Sequence, residues 1–154
     1  MNTPKFRIIP TILKRGPSVV KGKSFSKSRV FSPIFPVLKV FQSRDVDELC
    51  IIDVAPCHSS DDMSRFNWLR SAADLVSMPL SVGGGIRNIN QISQLISSGA
   101  DKVILNTACR NDPNLVRETI SRFGSQSLVA SIDVLCIDNK YFVYDSWKQE
   151  HTQH

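Results

Sequence analysis

No aspartate or glutamate occurs before Asp45, although ten of the chain's nineteen lysines and arginines do. The four cysteines, Cys50, Cys57, Cys109 and Cys136, form no CxxC pair and have no histidine at zinc-finger spacing. That argues against a structural zinc site or a disulfide framework and for reduced thiols. Cys50 lies in an apolar run and reads as core. Cys57 beside His58 lacks a third ligand and reads as loop, so no metal site is expected. No apolar run approaches the roughly 18 to 20 residues of a membrane-spanning helix, and the opening MNTPKFRIIP lacks the apolar stretch and cleavage site of a secretory signal. A cytoplasmic protein without membrane contacts is the expectation.

The basic, acid-poor N-terminus allows an organellar transit segment or a nucleic-acid arm. Pro4, Pro10 and Pro17 prevent a continuous amphipathic helix there, and FRIIPTIL reads as a buried strand. An anionic ligand accounts for the charge equally well. Nucleic acid is not the expected partner. With 42% hydrophobic and 21% charged residues over 154 positions, the composition is that of one folded domain. It is assigned to residues 1–144, followed by a polar tail over 145–154 that lacks apolar periodicity and should fray.

Apolar runs alternate with helical patterns at a short period, the mark of consecutive β/α units around a parallel sheet. The first strand is read over 6–13. The basic, serine-rich stretch 14–32 is too long for an ordinary connection and is a candidate active-site loop. Pro33 or Pro36 could open a first helix that buries Val37, Leu38, Val40 and Phe41. The run 48–54 is a strand covered on both faces. Ser60, Asp61 or Asp62 can cap a helix carrying Phe66, Leu69, Ala73 and Val76. A third strand spans 78–82, and Asn88 caps a helix with Ile89, Ile92 and Ile96 that closes at Gly99. A fourth strand spans 102–105, Asp112 and Pro113 open a helix ended by Gly124, and a fifth strand spans 127–134. Residues 140–144 belong to a short hairpin arm.

Strand-final polar residues are Asp53, Gly83, Gly84, Gly85, Asn106, Thr107 and Asp133. Alone, each has a bland explanation: an aspartate after a strand is usually a turn or cap, and a triple glycine is usually a turn. No Gly-Lys-Ser/Thr follows, so the glycines are not a Walker loop. In a (β/α)8 barrel, however, strand ends converge on one mouth. There, bare glycine amides with Asn106 and Thr107 can surround a phosphate, so a phosphorylated small molecule is the expected ligand. Lys21 and Lys23 could add counter-charge. If the glycines form such a cradle, Gly84→Val should remove ligand binding and leave folding largely intact.

IIPTILKRGPSVVKG, DELCIID, PLSVGGGIRNI, GADKVILNTA and RFGSQSLVASID resemble, in order, the successive motifs of the imidazole glycerol phosphate synthase cyclase family. The resemblance runs from about Arg7 to Tyr144. It implies a partial TIM barrel of about five β/α units without a cofactor, and a histidine-biosynthesis synthase of the lyase type. In that family ammonia from a separate glutaminase subunit reacts with a substrate bearing a phosphate at either end. By motif, Gly84, Asn106 and Thr107 match the first phosphate site, and Asp53 the mouth. Lys21 matches the flexible loop, and Asp133 a carboxylate acting as general acid/base. Arg7, Glu48 and Lys102 match a charged ring at the opposite face, where ammonia enters.

The chain departs from that pattern in two ways. Leu13 stands where the family's other catalytic aspartate ends its first motif, and leucine cannot transfer a proton. This leucine resembles a branch serving surface-polysaccharide synthesis by ammonia-dependent amidation of a sugar. A complete barrel takes about 250 residues, so three strands and the second phosphate site are missing. Either the chain is a fragment, or two half-barrels pair as a homodimer to cover their open edges. A non-catalytic remnant that binds one phosphate, or docks a glutaminase, is the competing reading to an enzyme.

Overall fold

Ile12, Ile51, Val82, Val103 and Leu128 lie side by side across five neighbouring strands. This apolar row is where the helices attach. The computed structural model describes residues 6–22, 28–56, 63–145 and 150–151. In chain order the strands are β1 (Thr11–Arg15), β2 (Ser18–Lys21), β3 (Arg29–Pro33), β4 (Leu49–Asp53), β5 (Leu80–Gly83), β6 (Lys102–Leu105), β7 (Leu128–Ala130), β8 (Val134–Ile137), β9 (Lys140–Asp145) and β10 (Glu150–His151). The helices are α1 (Ile34–Gln42), α2 (Leu69–Leu75), α3 (Ile89–Ser97), α4 (Thr107–Asn111) and α5 (Pro113–Phe123), with single 3-10 turns at Ser64–Phe66 and Ser125–Ser127.

The main sheet runs β3-β2-β1-β4-β5-β6-β7, with β1, β4, β5, β6 and β7 parallel and β2 and β3 antiparallel at one edge. The parallel strands alternating with helices form a partial TIM barrel, open rather than closed. Side chains alternate across each strand. Ile12, Leu49, Ile51, Leu80, Val82, Val103 and Leu105 therefore point to one face, where they form the core with Ile34, Leu38, Leu69, Ile92, Leu95 and Leu115 of the helices. Each such side chain contributes about 1.5–3 kcal/mol by leaving water. The opposite face, which a barrel turns inward, carries the row Leu13, Ile52, Gly83, Ile104 and Val129.

Several expected boundaries move. The first strand is Thr11–Arg15 rather than 6–13, although Pro10 and Ile8 already accept hydrogen bonds from Cys50 and Asp47 beside it. The stretch 14–32 is not simply a loop. Gly16, with φ +57, turns the chain at Pro17 into β2, burying Val19 and Val20. The fourth strand falls where the periodicity puts it. The fifth is only Leu128–Ala130, because the chain leaves the sheet at Ser131 and re-pairs as the separate β8–β9 hairpin. Asp138 and Asn139, both at positive φ, make its two-residue turn. The tail is not wholly frayed: Asp145 and Tyr144 pair with Glu150 and His151, because backbone pairing needs no apolar period. Helix α1 buries Ile34, Val37 and Leu38, while Val40 is exposed. Lys23, Cys57, His58, Ser60, Asp61 and Asp62 lie outside the described residues.

Candidate functional site

The three glycines after β5 are there for different reasons. A Cβ on Gly83 would sit 2.6 Å from the Ile104 carbonyl oxygen and 2.7 Å from its Cβ, so the neighbouring strand leaves no room for one. Gly84, at φ +112, lies against the Asp53 backbone, and a Cβ there would collide with the Asp53 carbonyl. Gly85, at φ +67, reaches the surface. Two of the three glycines are therefore required by packing, and the expectation that Gly84→Val spares the fold is overturned. The helix that follows is capped as its sequence indicates. The Asn88 side chain accepts from Gln91 N at 2.9 Å, and Gln91 Oε1 accepts from Arg87 N at 2.7 Å.

Asn106 follows β6 and precedes Thr107, the half-buried first residue of α4. Its Nδ2 donates to Asp133 Oδ2 at 3.1 Å, joining two residues far apart in sequence. Asp133 is half-buried at the end of the segment that leaves β7, and its carbonyl accepts from Tyr144 N at 2.8 Å. The amide and the carboxylate thus meet beyond the C-terminal ends of β6 and β7. Leu13, half-buried on the inward face between Val20 and Ile52, puts no ionisable group there.

Asp53 ends β4 as expected, but its carboxylate turns to the helix face, 4% exposed. Lys14, directly opposite on β1 and 1% exposed, donates to Oδ2 at 2.8 Å. Arg65 Nη2 donates to Oδ1 at 2.8 Å, and the Ala55 N–H donates to the same oxygen at 2.8 Å. Lys14 also lies 5.4 Å from the centre of the Trp68 ring. Burial by itself would raise the Asp53 pKa; the hydrogen bonds from Arg65, Lys14 and Ala55 and the Lys14 charge outweigh it and hold the carboxyl below its ordinary value. This is an occupied carboxylate locking β1, β4 and the turn before α2 together. Sequence reasoning missed Lys14 and Arg65. Lys14 carried a signal, since it shares the period-two face of Ile12. Lys21 stands exposed on β2, with β1 and β4 between it and the glycines of β5.

At the other ends of the strands, Glu48 accepts from Lys102 Nζ and from the fully buried Ser81 hydroxyl. Burial would raise its pKa, but Lys102, Ser81 and the charges of Lys102 and Arg7 lower it. Arg7, Glu48 and Lys102 are therefore brought together, with Ser81 as an additional partner. Nearby, burial and the Glu48 charge push the Cys50 thiol up despite its hydrogen bonds with Thr11 and Ser81, which disfavours the nucleophilic thiolate. No helix among the described residues is long and apolar enough to cross a membrane.

An open, mainly parallel sheet with helices on one face, glycines and an amide–carboxylate pair at its strand ends, and a charged cluster beneath defines a protein of the β/α-barrel class. The sequence profile described as "Histidine biosynthesis protein" matches residues 7–154, and the chain belongs to that family. It is similar to the imidazole glycerol phosphate synthase subunit HisF of an Exiguobacterium species, with 39% identity over 91% of this chain and 54% of that protein. It is also similar to the subunit of the same name from Campylobacter concisus, with 38% identity over 94% of this chain and 57% of that protein. The Dictyoglomus turgidum subunit is 37% identical over 83% of this chain and 50% of that protein. The chain spans about half the length of these curated relatives.

Proposed function

We propose that this chain supplies the N-terminal part of a cyclase of the imidazole glycerol phosphate synthase type, which uses ammonia from a glutaminase subunit on a phosphorylated substrate. The observation that carries the reading is the Asn106–Asp133 pair beyond the strand ends, with Asp133 as general acid/base. Gly85, the exposed side of Gly84, Asn106 and Thr107 would hold one phosphate through backbone and side-chain donors. The Arg7, Glu48, Ser81 and Lys102 cluster would meet the glutaminase and pass ammonia inward. Asp53 serves this site from behind, by fixing the backbone on which Gly84 rests.

Leu13 favours a second reading, amidation of a sugar with ammonia, because the inward face offers no second carboxylate at that position. A homodimer of half-barrels is one way to complete the mouth. The test is turnover with ammonium salts and a substrate phosphorylated at both ends, measured on the chain alone and mixed with the C-terminal half of a relative. Turnover should require the second half, and Asp133→Asn should lower it about 10²- to 10⁴-fold. Turnover indifferent to Asp133 would reject the proposal. Leu13→Asp should raise turnover if cyclisation is the reaction; no gain favours the amidation reading.

A further inference from the structure

The segment carrying Asp133 has left the parallel sheet. Ser131 N donates to Leu105 O at 2.8 Å, the last such bond to β6, and the Asp133 backbone is then held by Tyr144 N. What orients this carboxylate is therefore the β8–β9 hairpin. All four residues of β8 are exposed, whereas β9 is half-buried from Phe142 to Asp145. An ion pair adds a tie between β9 and the body. Arg110 Nη2 lies 2.5 Å from Asp145 Oδ2, with the side chains 32% and 12% exposed. Arg110 is one helical turn after Asn106, and Asp145 follows Tyr144 directly. The contacts close a ring: Asn106 amide, Asp133 carboxylate, Asp133 carbonyl, Tyr144 amide, Asp145, Arg110, and back through α4 to Asn106.

We infer that the β8–β9 hairpin is a strut that sets the Asn106–Asp133 pair, with Arg110 and Asp145 as its positioning residues. The inference rests on the reading of Asp133 as acid/base only for its catalytic consequence. The ion pair limits how far the hairpin swings from α4, and so holds the carboxylate within reach of the amide. Loss of that restraint lets Asp133 misalign, which penalises the reacting geometry more than ground-state binding.

The experiment follows the Asn106 side-chain amide of the full chain by nitrogen-edited NMR, identified by its loss in Asn106→Ala. Arg110→Gln and Asp145→Asn should each shift that signal. The exchanged double variant, Arg110→Asp with Asp145→Arg, should restore it. Glu118→Gln, which breaks the Arg122–Glu118 pair on α5, serves as the control and should leave the signal in place. With the complementing half supplied, each single variant should lower kcat about ten- to a hundredfold at unchanged KM. An amide signal unmoved in both single variants, or moved as much by Glu118→Gln, overturns the strut. Inorganic phosphate titrated into the same samples reports separately on the mouth: if it fails to bind while the amide responds as expected, the phosphate reading falls and the strut stands.

Discussion

Asp53 closes β4 and Asp133 comes after β7, yet among the described residues one carboxylate is saturated by two cations and a backbone amide and the other meets a single side-chain amide. The difference has consequences under acid. Asp53 has a folded pKa depressed below the unfolded value of about 4, so its stabilisation is present above that value and lost as pH falls through the folded pKa. Urea unfolding followed from pH 5 downward should show this loss, and Asp53→Asn should flatten it; parallel acid limbs for both proteins would contradict the assignment. Removing the carboxylate altogether strands Lys14 and Arg65 as buried charges. Asp53→Ala should cost about 3–5 kcal/mol, read by the same unfolding measurement. Gly84→Ala should cost about 2 kcal/mol or more, because the left-handed backbone and the Asp53 carbonyl both oppose a side chain. Sequence pattern placed Asp53 at a strand end correctly. It could not say which way the side chain turned, because that depends on partners 39 and 12 residues away.

At the scale of elements, local chemistry was legible wherever a residue bonds its own neighbours. Asn88 caps α3, and Asp112 caps α5 by accepting from Asn114 N and Leu115 N at 3.1 Å each. Asn88→Ala should cost about 1 kcal/mol in thermal or chemical unfolding, with a change near zero arguing that Gln91 alone secures that end. Boundaries set by remote pairing were not legible. The basic stretch 14–32 hides β2 and most of β3 because their residues find partners only when β2 folds back on β1 and β3 on β2. The run 127–134 looks continuous, but only three of its residues find a parallel neighbour before the hairpin takes over. The short α4 went unread, since five residues carry too little periodicity to register.

For the whole molecule, the open sheet leaves apolar side chains at its margins: Val30 and Phe31 on the edge strand β3 are 68% and 67% exposed, and Ile132 just beyond the edge strand β7 is 63% exposed. Such margins promote association. Sedimentation should therefore show self-association that falls on mixing with a complementary half-barrel; a monomer unaffected by that half would argue against edge completion. What the sequence by itself determined was the alternation of strands and helices, their caps, and the family, because these rest on near neighbours and on ordered motifs. Only the tertiary structure decided which polar groups share a face. It sent Asp53 behind the sheet, brought Asn106 to Asp133, and gathered Glu48, Ser81 and Lys102 at the far end. The physical reason is that strand side chains alternate, so a group's surroundings follow from register with strands that are distant in the chain.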